Sequence, residues 1–142
     1  MTAPRSATLY SPQMLALAVE LAGHTYDPAA LFRGEARSRS CGSTLAFSSS
    51  GRDGPVGLRV TACAVGQASA AIFARHALPL EQETLGDTLA ALEAWLAGEG
   101  PMPDWPDLEM IAAAREFPGR HGAILLPWKA ALDALSKGEG AR

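Results

Sequence analysis

The hydrophobic period of this chain switches from two to roughly 3.6 between residues 43 and 76, and that switch restricts the fold more than any other feature. Val56, Leu58 and Val60 alternate strictly with Gly57, Arg59 and Thr61, the pattern of a strand with one buried face. Leu45 and Phe47 alternate in the same way within residues 43–49. Ser50-Gly51-Arg52-Asp53-Gly54-Pro55 between the two runs has loop composition, so the pair reads as an antiparallel hairpin. Residues 65–76 follow as a helix rich in Ala, Gly and Ser, which permits close approach of a neighbouring backbone. The two cysteines bracket this unit. Cys41 lies just before the first strand, and Cys63 closes the second and opens the helix. The hairpin should therefore bring both thiols to one end of the sheet. Peptide dipoles at a helix N-terminus favour thiolate, the form that attacks sulfur and binds metal.

The flanking segments are mostly helical. Ser11-Pro12 reads as an N-cap followed by proline at the first helical position. Met14, Leu15, Leu17, Ala18 and Leu21 follow with helical spacing, and Gly23 is the stop. Leu85, Leu89, Leu92, Trp95 and Leu96 mark a second helix that ends at Gly98. A third, over residues 107–116, turns Leu108, Ile111 and Ala112 inward, and Phe117-Pro118-Gly119 breaks it. The last, residues 121–135, carries Leu125, Trp128, Leu132 and Leu135 on one stripe. Pro127 inside it predicts an irregular first turn or a start at the proline itself. Residues 136–142 are expected to fray. Residues 27–40 have no clean period; Arg33, Arg37 and Arg39, with Ser38 and Ser40, suggest an exposed, mobile lead-in to Cys41. The reading is one α+β domain over residues 1–142 with its core at about 9–135, a small antiparallel sheet packed against several helices.

Composition narrows the function. The 142 residues are 48% hydrophobic and 19% charged, with a net charge of −3. No Lys/Arg cluster stands out in the sequence, which argues against nucleic acid as a partner. The first ten residues lack the apolar core of a secretory signal, and no apolar run is long enough to span a bilayer. The expectation is a soluble, cytoplasmic protein, where cysteine pairs are more often reactive, metal-bound or inertly buried than disulfide-bonded. A Gly-rich phosphate loop, HExxH, a nucleophile elbow and CxxC are all absent from the sequence.

Cys41-Gly42-Ser43 before the hairpin, the stretch from Cys63 to Ala71, and Phe117-Pro118-Gly119-Arg120 through Leu126-x-Trp128-Lys129 resemble the NifU N-terminal/IscU/SufU iron–sulfur scaffold family. Tyr10-Ser11 and His24…Asp27-Pro28 are similar to that family's opening helix and turn, so the resemblance runs from about Leu9 to Leu135. It implies a SufU/IscU-like α+β fold and a non-enzymatic scaffold. Such a scaffold accepts sulfur from a cysteine desulfurase, holds iron or a nascent [2Fe–2S] cluster, and hands it to recipient apo-proteins; zinc is the alternative occupant. The family's ligands are three Cys and one Asp. Cys41 and Cys63 match the first two Cys positions, whereas Ser43 stands at the Asp position and Ala123 at the third Cys position.

Three completions of the ligand set are open. His121, two residues before Ala123, could replace the absent thiolate. Ser43 could lend a hydroxyl, though hydrogen-bonding the turn suits it better. Alternatively, two subunits in a homodimer could each give two thiolates and supply the all-thiolate set of one [2Fe–2S] cluster. Around the thiols, Gly42 allows a positive-φ turn, Gln67 lies one helical turn from Cys63, and Arg120 resembles a basic residue near the third Cys of SufU-type proteins. A sulfur relay or adaptor without cluster assembly, or a zinc-binding module, remain the other readings.

Overall fold

Helix α1 (Pro12–Glu20) begins where capping chemistry sets it: the Ser11 hydroxyl accepts the Met14 N–H at 3.2 Å, and Pro12 occupies the first turn. The computed structural model describes residues 11–39 and 42–140, with side chains as far as Lys137. After α1 and a 3₁₀ turn (Leu21–Gly23) come β1 (Phe32–Arg37), β2 (Thr44–Ser49), β3 (Val56–Thr61) and α2 (Ala64–His76). Helix α3 (Gln82–Leu96), a 3₁₀ segment (Leu108–Glu116) and the long α4 (Pro118–Gly140) complete the order.

The expected hairpin is present. β2 and β3 are antiparallel, with Thr44 opposite Thr61 and Ser49 opposite Val56. A third strand corrects the expectation of a mobile lead-in: β1 runs antiparallel along the other edge of β2, from Phe32 opposite Ser49 to Arg37 opposite Thr44. The inward positions of β1 are Phe32, Gly34 and Ala36, and two of these are too small to register as a hydrophobic period. Gly34 is small because α4 lies directly on it. A methyl there would run into the Ala130 carbonyl and the Ala134 backbone. Flanked on both sides, β2 is buried along nearly its whole length.

Helix α4 is the centre of the molecule. Every residue from Ala123 to Trp128 is buried, as is typical of a helix with neighbours all round. It starts at Pro118, earlier than the expected residue 121, because a proline at the first helical position costs no hydrogen bond. It continues through Pro127 and on to Gly140, where fraying was expected from residue 136. Pro127 has no N–H to give the Ala123 carbonyl. The loosened turn is held from outside by Ser69, fully buried on α2, whose hydroxyl donates to the Ile124 carbonyl at 2.7 Å. Around it Phe73, Trp105 and Trp128 form an aromatic nucleus. Trp128 meets Phe73 and Trp105 edge-on at 5.3 and 5.1 Å, and Phe73 stacks on Trp105 at 5.6 Å. Such pairs contribute about 0.5–1.5 kcal/mol each beyond their burial.

The segment after Asp107 is helical as expected but with period three. Leu108, Ile111 and Ala114 are buried, and Ala112 is only partly so. On the surface Arg75 of α2 joins α1 to this segment through Glu20 at 2.7 Å and Asp107 at 3.1 Å, with His76 2.8 Å from the same Asp107 oxygen.

Candidate functional site

The row Arg37–Thr44–Thr61 ends the sheet on one side, and both cysteine-bearing connections leave from it. The β1–β2 turn emerges beyond Arg37 and returns into Thr44. The Ser38 N–H bonds the Ser43 carbonyl at 2.8 Å, and the Gly42 N–H bonds the Ser38 carbonyl at 2.9 Å. Gly42 has φ of 71°, the left-handed conformation expected of it, and its α-hydrogens face open space. Ser43 is buried. Cys41 lies outside the described residues, as does Tyr10.

Across the same end, Ala62 and Cys63 follow Thr61. Cys63 is the N-cap of α2, in extended conformation, with a free, half-buried thiol that makes no capping hydrogen bond. The first free N–H groups of α2 therefore lie beside a sulfur that does not use them. Gln67, one turn on, reaches back so that its Nε2 donates to the Ala62 carbonyl at 2.9 Å. That bond braces the connection on which Cys63 sits.

Helix α4 reaches this end from behind. A Cβ on Gly66 would stand 2.7 Å from the Ala62 methyl and 3.1 Å from the Ala123 methyl. Ala123, where the resemblance expects a third thiol, is thus packed on the first turn of α2, beside the connection carrying Cys63. Ala123 is fully buried there. Gly66 is what lets the two backbones approach so closely.

His121 is placed differently. Two residues before Ala123 is about 200° around a helix, and its Nε2 lies 2.7 Å from the Arg115 carbonyl. A carbonyl only accepts, so Nε2 is the donor there. Arg120, half-buried in the first turn of α4, gives its N–H to the Phe117 carbonyl at 2.8 Å. Among the described residues, no three His, Cys, Asp or Glu side chains converge as metal ligands. Sequence reasoning missed Arg37 and Arg59, which share the outward sheet face at this end. They are far apart in the chain, and only strand register brings them together.

An N-terminal helix, a three-stranded antiparallel sheet with helices on its inner face, and a free thiol capping the helix after the hairpin together define a small α+β domain. No protein-family model matches the chain, and no curated protein matches it. Among solved structures, the N-terminal nitrogen-fixing NifU-like protein of Brucella abortus matches with a TM-score of 0.79 and 26% identity, over 98% of this chain and 100% of that one. A protein of Fervidobacterium islandicum AW-1, named as an iron–sulfur cluster assembly scaffold for the SUF system, matches with a TM-score of 0.74 and 20% identity, over 92% and 98%. The chain has the SufU/IscU-like α+β fold. Among the described residues no helix is long and apolar enough to cross a membrane.

Proposed function

We propose that this protein is an iron–sulfur cluster assembly scaffold that works through two thiols per chain. Cys63, with Cys41, accepts sulfur from a cysteine desulfurase. The thiolate attacks the outer sulfur of the desulfurase persulfide, a new S–S bond forms, and the desulfurase cysteine leaves as thiolate. The pair then holds iron or a nascent [2Fe–2S] cluster and yields it to recipient apo-proteins in the cytoplasm. Two subunits contribute four thiolates, the number an all-thiolate [2Fe–2S] centre requires. The observation that carries this reading is the free, half-buried Cys63 thiol at the N-cap of α2, at the sheet end from which the β1–β2 turn also departs.

Anaerobic reconstitution with iron, cysteine and a desulfurase tests it. The expected product has [2Fe–2S] absorbance, contains one cluster per two chains and runs as a dimer. Cys63→Ser and Cys41→Ser each abolish it, and His121→Ala leaves it intact. Persulfide on either cysteine without retained iron would replace this reading with a sulfur relay, which the buried Ala123 at the third ligand position favours. Stoichiometric zinc lost in His121→Ala would replace it with a zinc module bound through Cys41, Cys63 and Nδ1 of His121.

A further inference from the structure

The outward face of the sheet gathers positive charge that neither the core nor the thiol site uses. Strand register sets its side chains in rows: Arg37, Thr44 and Thr61; then Glu35, Ala46 and Arg59; then Arg33, Ser48 and Gly57. Along β2 these side chains are small, while β1 and β3 carry long ones on either side. The result is a trough of about 370 Å³ running along β2 between Arg37 and Arg59, with Ala46 on its floor at 9% exposure. Arg59 is fixed over the Tyr26 ring, its guanidinium carbon 4.5 Å from the centroid. Arg33, Arg37 and Arg39 form no ion pair among the described residues, although Arg75 and Lys137 do. Glu35 is the one carboxylate among these rows. In a chain of net charge −3 this concentration is local.

The trough is closed at one end and open at the other. Thr25 pairs with Leu58, and its carbonyl covers Gly57. The Asp27 N–H bonds the Ser48 hydroxyl at 2.9 Å. The open end is the Arg37–Thr44–Thr61 row, which leads to Gly42 and Cys63. Its walls stand two strand spacings apart, roughly 10 Å, which admits one extended chain but not a helix of about 10–12 Å with its side chains. Single-stranded nucleic acid needs open aromatic faces for stacking, and one face of Tyr26 is already taken by Arg59.

The geometry points to a docking trough for an acidic, extended segment of a partner protein. The segment lies along β2, its carboxylates pair with Arg37 and Arg59, and its leading end emerges beside Cys63. The inference goes beyond the scaffold reading and does not rest on cluster or persulfide chemistry. It is tested on the full-length protein without metal.

The probe is a fluorescein-labelled peptide of alternating Glu and Ser, with an oligothymidylate of equal charge as competitor. Saturable binding that weakens with added salt is expected, and wild-type amide resonances of residues 35–37, 44–46 and 59–61 should shift together on titration. Arg37→Glu with Arg59→Glu should weaken binding at least about tenfold, equivalent to about 1.4 kcal/mol. Ala46→Trp, which fills the trough without changing charge, should do the same. Lys129→Glu, on exposed α4 surface, should leave binding within about twofold. No saturable binding, shifts elsewhere on the molecule, an equal loss from Lys129→Glu, or tighter binding of the oligothymidylate would each overturn the proposal.

Discussion

Replacing Gly34 by alanine should cost about 3 kcal/mol, although it adds a single methyl to a strand. Gly34 faces inward beneath α4, and its added Cβ would collide with the Ala130 carbonyl oxygen and the Ala134 nitrogen, with the Ala134 Cα at 2.9 Å. Overpacking typically costs about 1–3 kcal/mol where side chains can shift aside. Here every obstructing atom is backbone, so α4 itself must lift from β1, and the upper end of that range applies. At about 2.1 cal/mol/K per residue, unfolding a domain of this length changes entropy by roughly 0.3 kcal/mol/K, so the melting temperature should fall by about 10 °C. Gly86→Ala is the control. Gly86 is inside α3, and an added Cβ would meet nothing within 4 Å beyond its own turn of helix, so alanine there should stabilise by about 0.5–1 kcal/mol through helix propensity. Thermal and urea unfolding of both variants would give shifts of opposite sign. A Gly34→Ala protein melting within about 2 °C of wild type would refute direct seating of α4 on β1.

Ser69→Ala should destabilise by about 1 kcal/mol, because it removes the bond that pins the Pro127-loosened turn of α4 to α2, and urea unfolding would register it. A loss below about 0.3 kcal/mol would mean that turn needs no tether. The surface network should make stability depend on pH in the acid range. Arg75 holds the Glu20 carboxyl below its ordinary value, and His76, with Arg75, does the same for Asp107. Carboxylates lowered in this way contribute stability that is complete above their unfolded pKa values, 4.5 and 3.8, and is lost as pH falls through the folded ones. Arg75→Gln should therefore lower stability near neutral pH, by no more than about 1 kcal/mol for partly exposed pairs. The gap from wild type should narrow as pH falls below 3.8 and through the lowered folded values; a gap that stays unchanged throughout acid titration would refute the assignment.

What could be read from the sequence was whatever depended on near neighbours in the chain. Ser11-Pro12 starting α1 and the Val56–Thr61 strand are decided within a few residues, and both appear in the structure, whereas α1 ends at Glu20 and Gly23 instead closes the 3₁₀ turn that follows. β1 was not legible because its character comes from a partner about one hundred residues away. Gly34 and Ala36 look like coil until α4 is laid on them, and the edge of β1 is closed by Asp133, whose Oδ2 accepts the Glu35 N–H at 3.0 Å. Phe117-Pro118-Gly119 does break the preceding helical segment, which ends at Glu116, and Pro118 at the same time opens α4. The arginine trough was hidden for a related reason. Arg33, Arg37 and Arg59 look scattered until a register with Thr44 and Ala46 between the outer strands sets them on one face.

The candidate site divides along the same line, and its chemistry follows from which positions the core has claimed. Cys63 keeps its place because an N-cap sits at the helix end, where its half-buried thiol remains free. Ala123 sits where α4 meets Gly66, fully buried, so that position serves packing and supplies no donor. His121 faces Arg115 on another side of the helix. On the proposed reading each chain offers the two sulfur donors of Cys41 and Cys63, and a four-thiolate centre would be assembled from two chains. For that reason the ratio of cluster to chain, more than the presence of iron, separates cluster assembly from sulfur relay: a value near one half requires the thiols of two subunits to meet, whereas a relay transfers sulfur at any ratio and retains no iron.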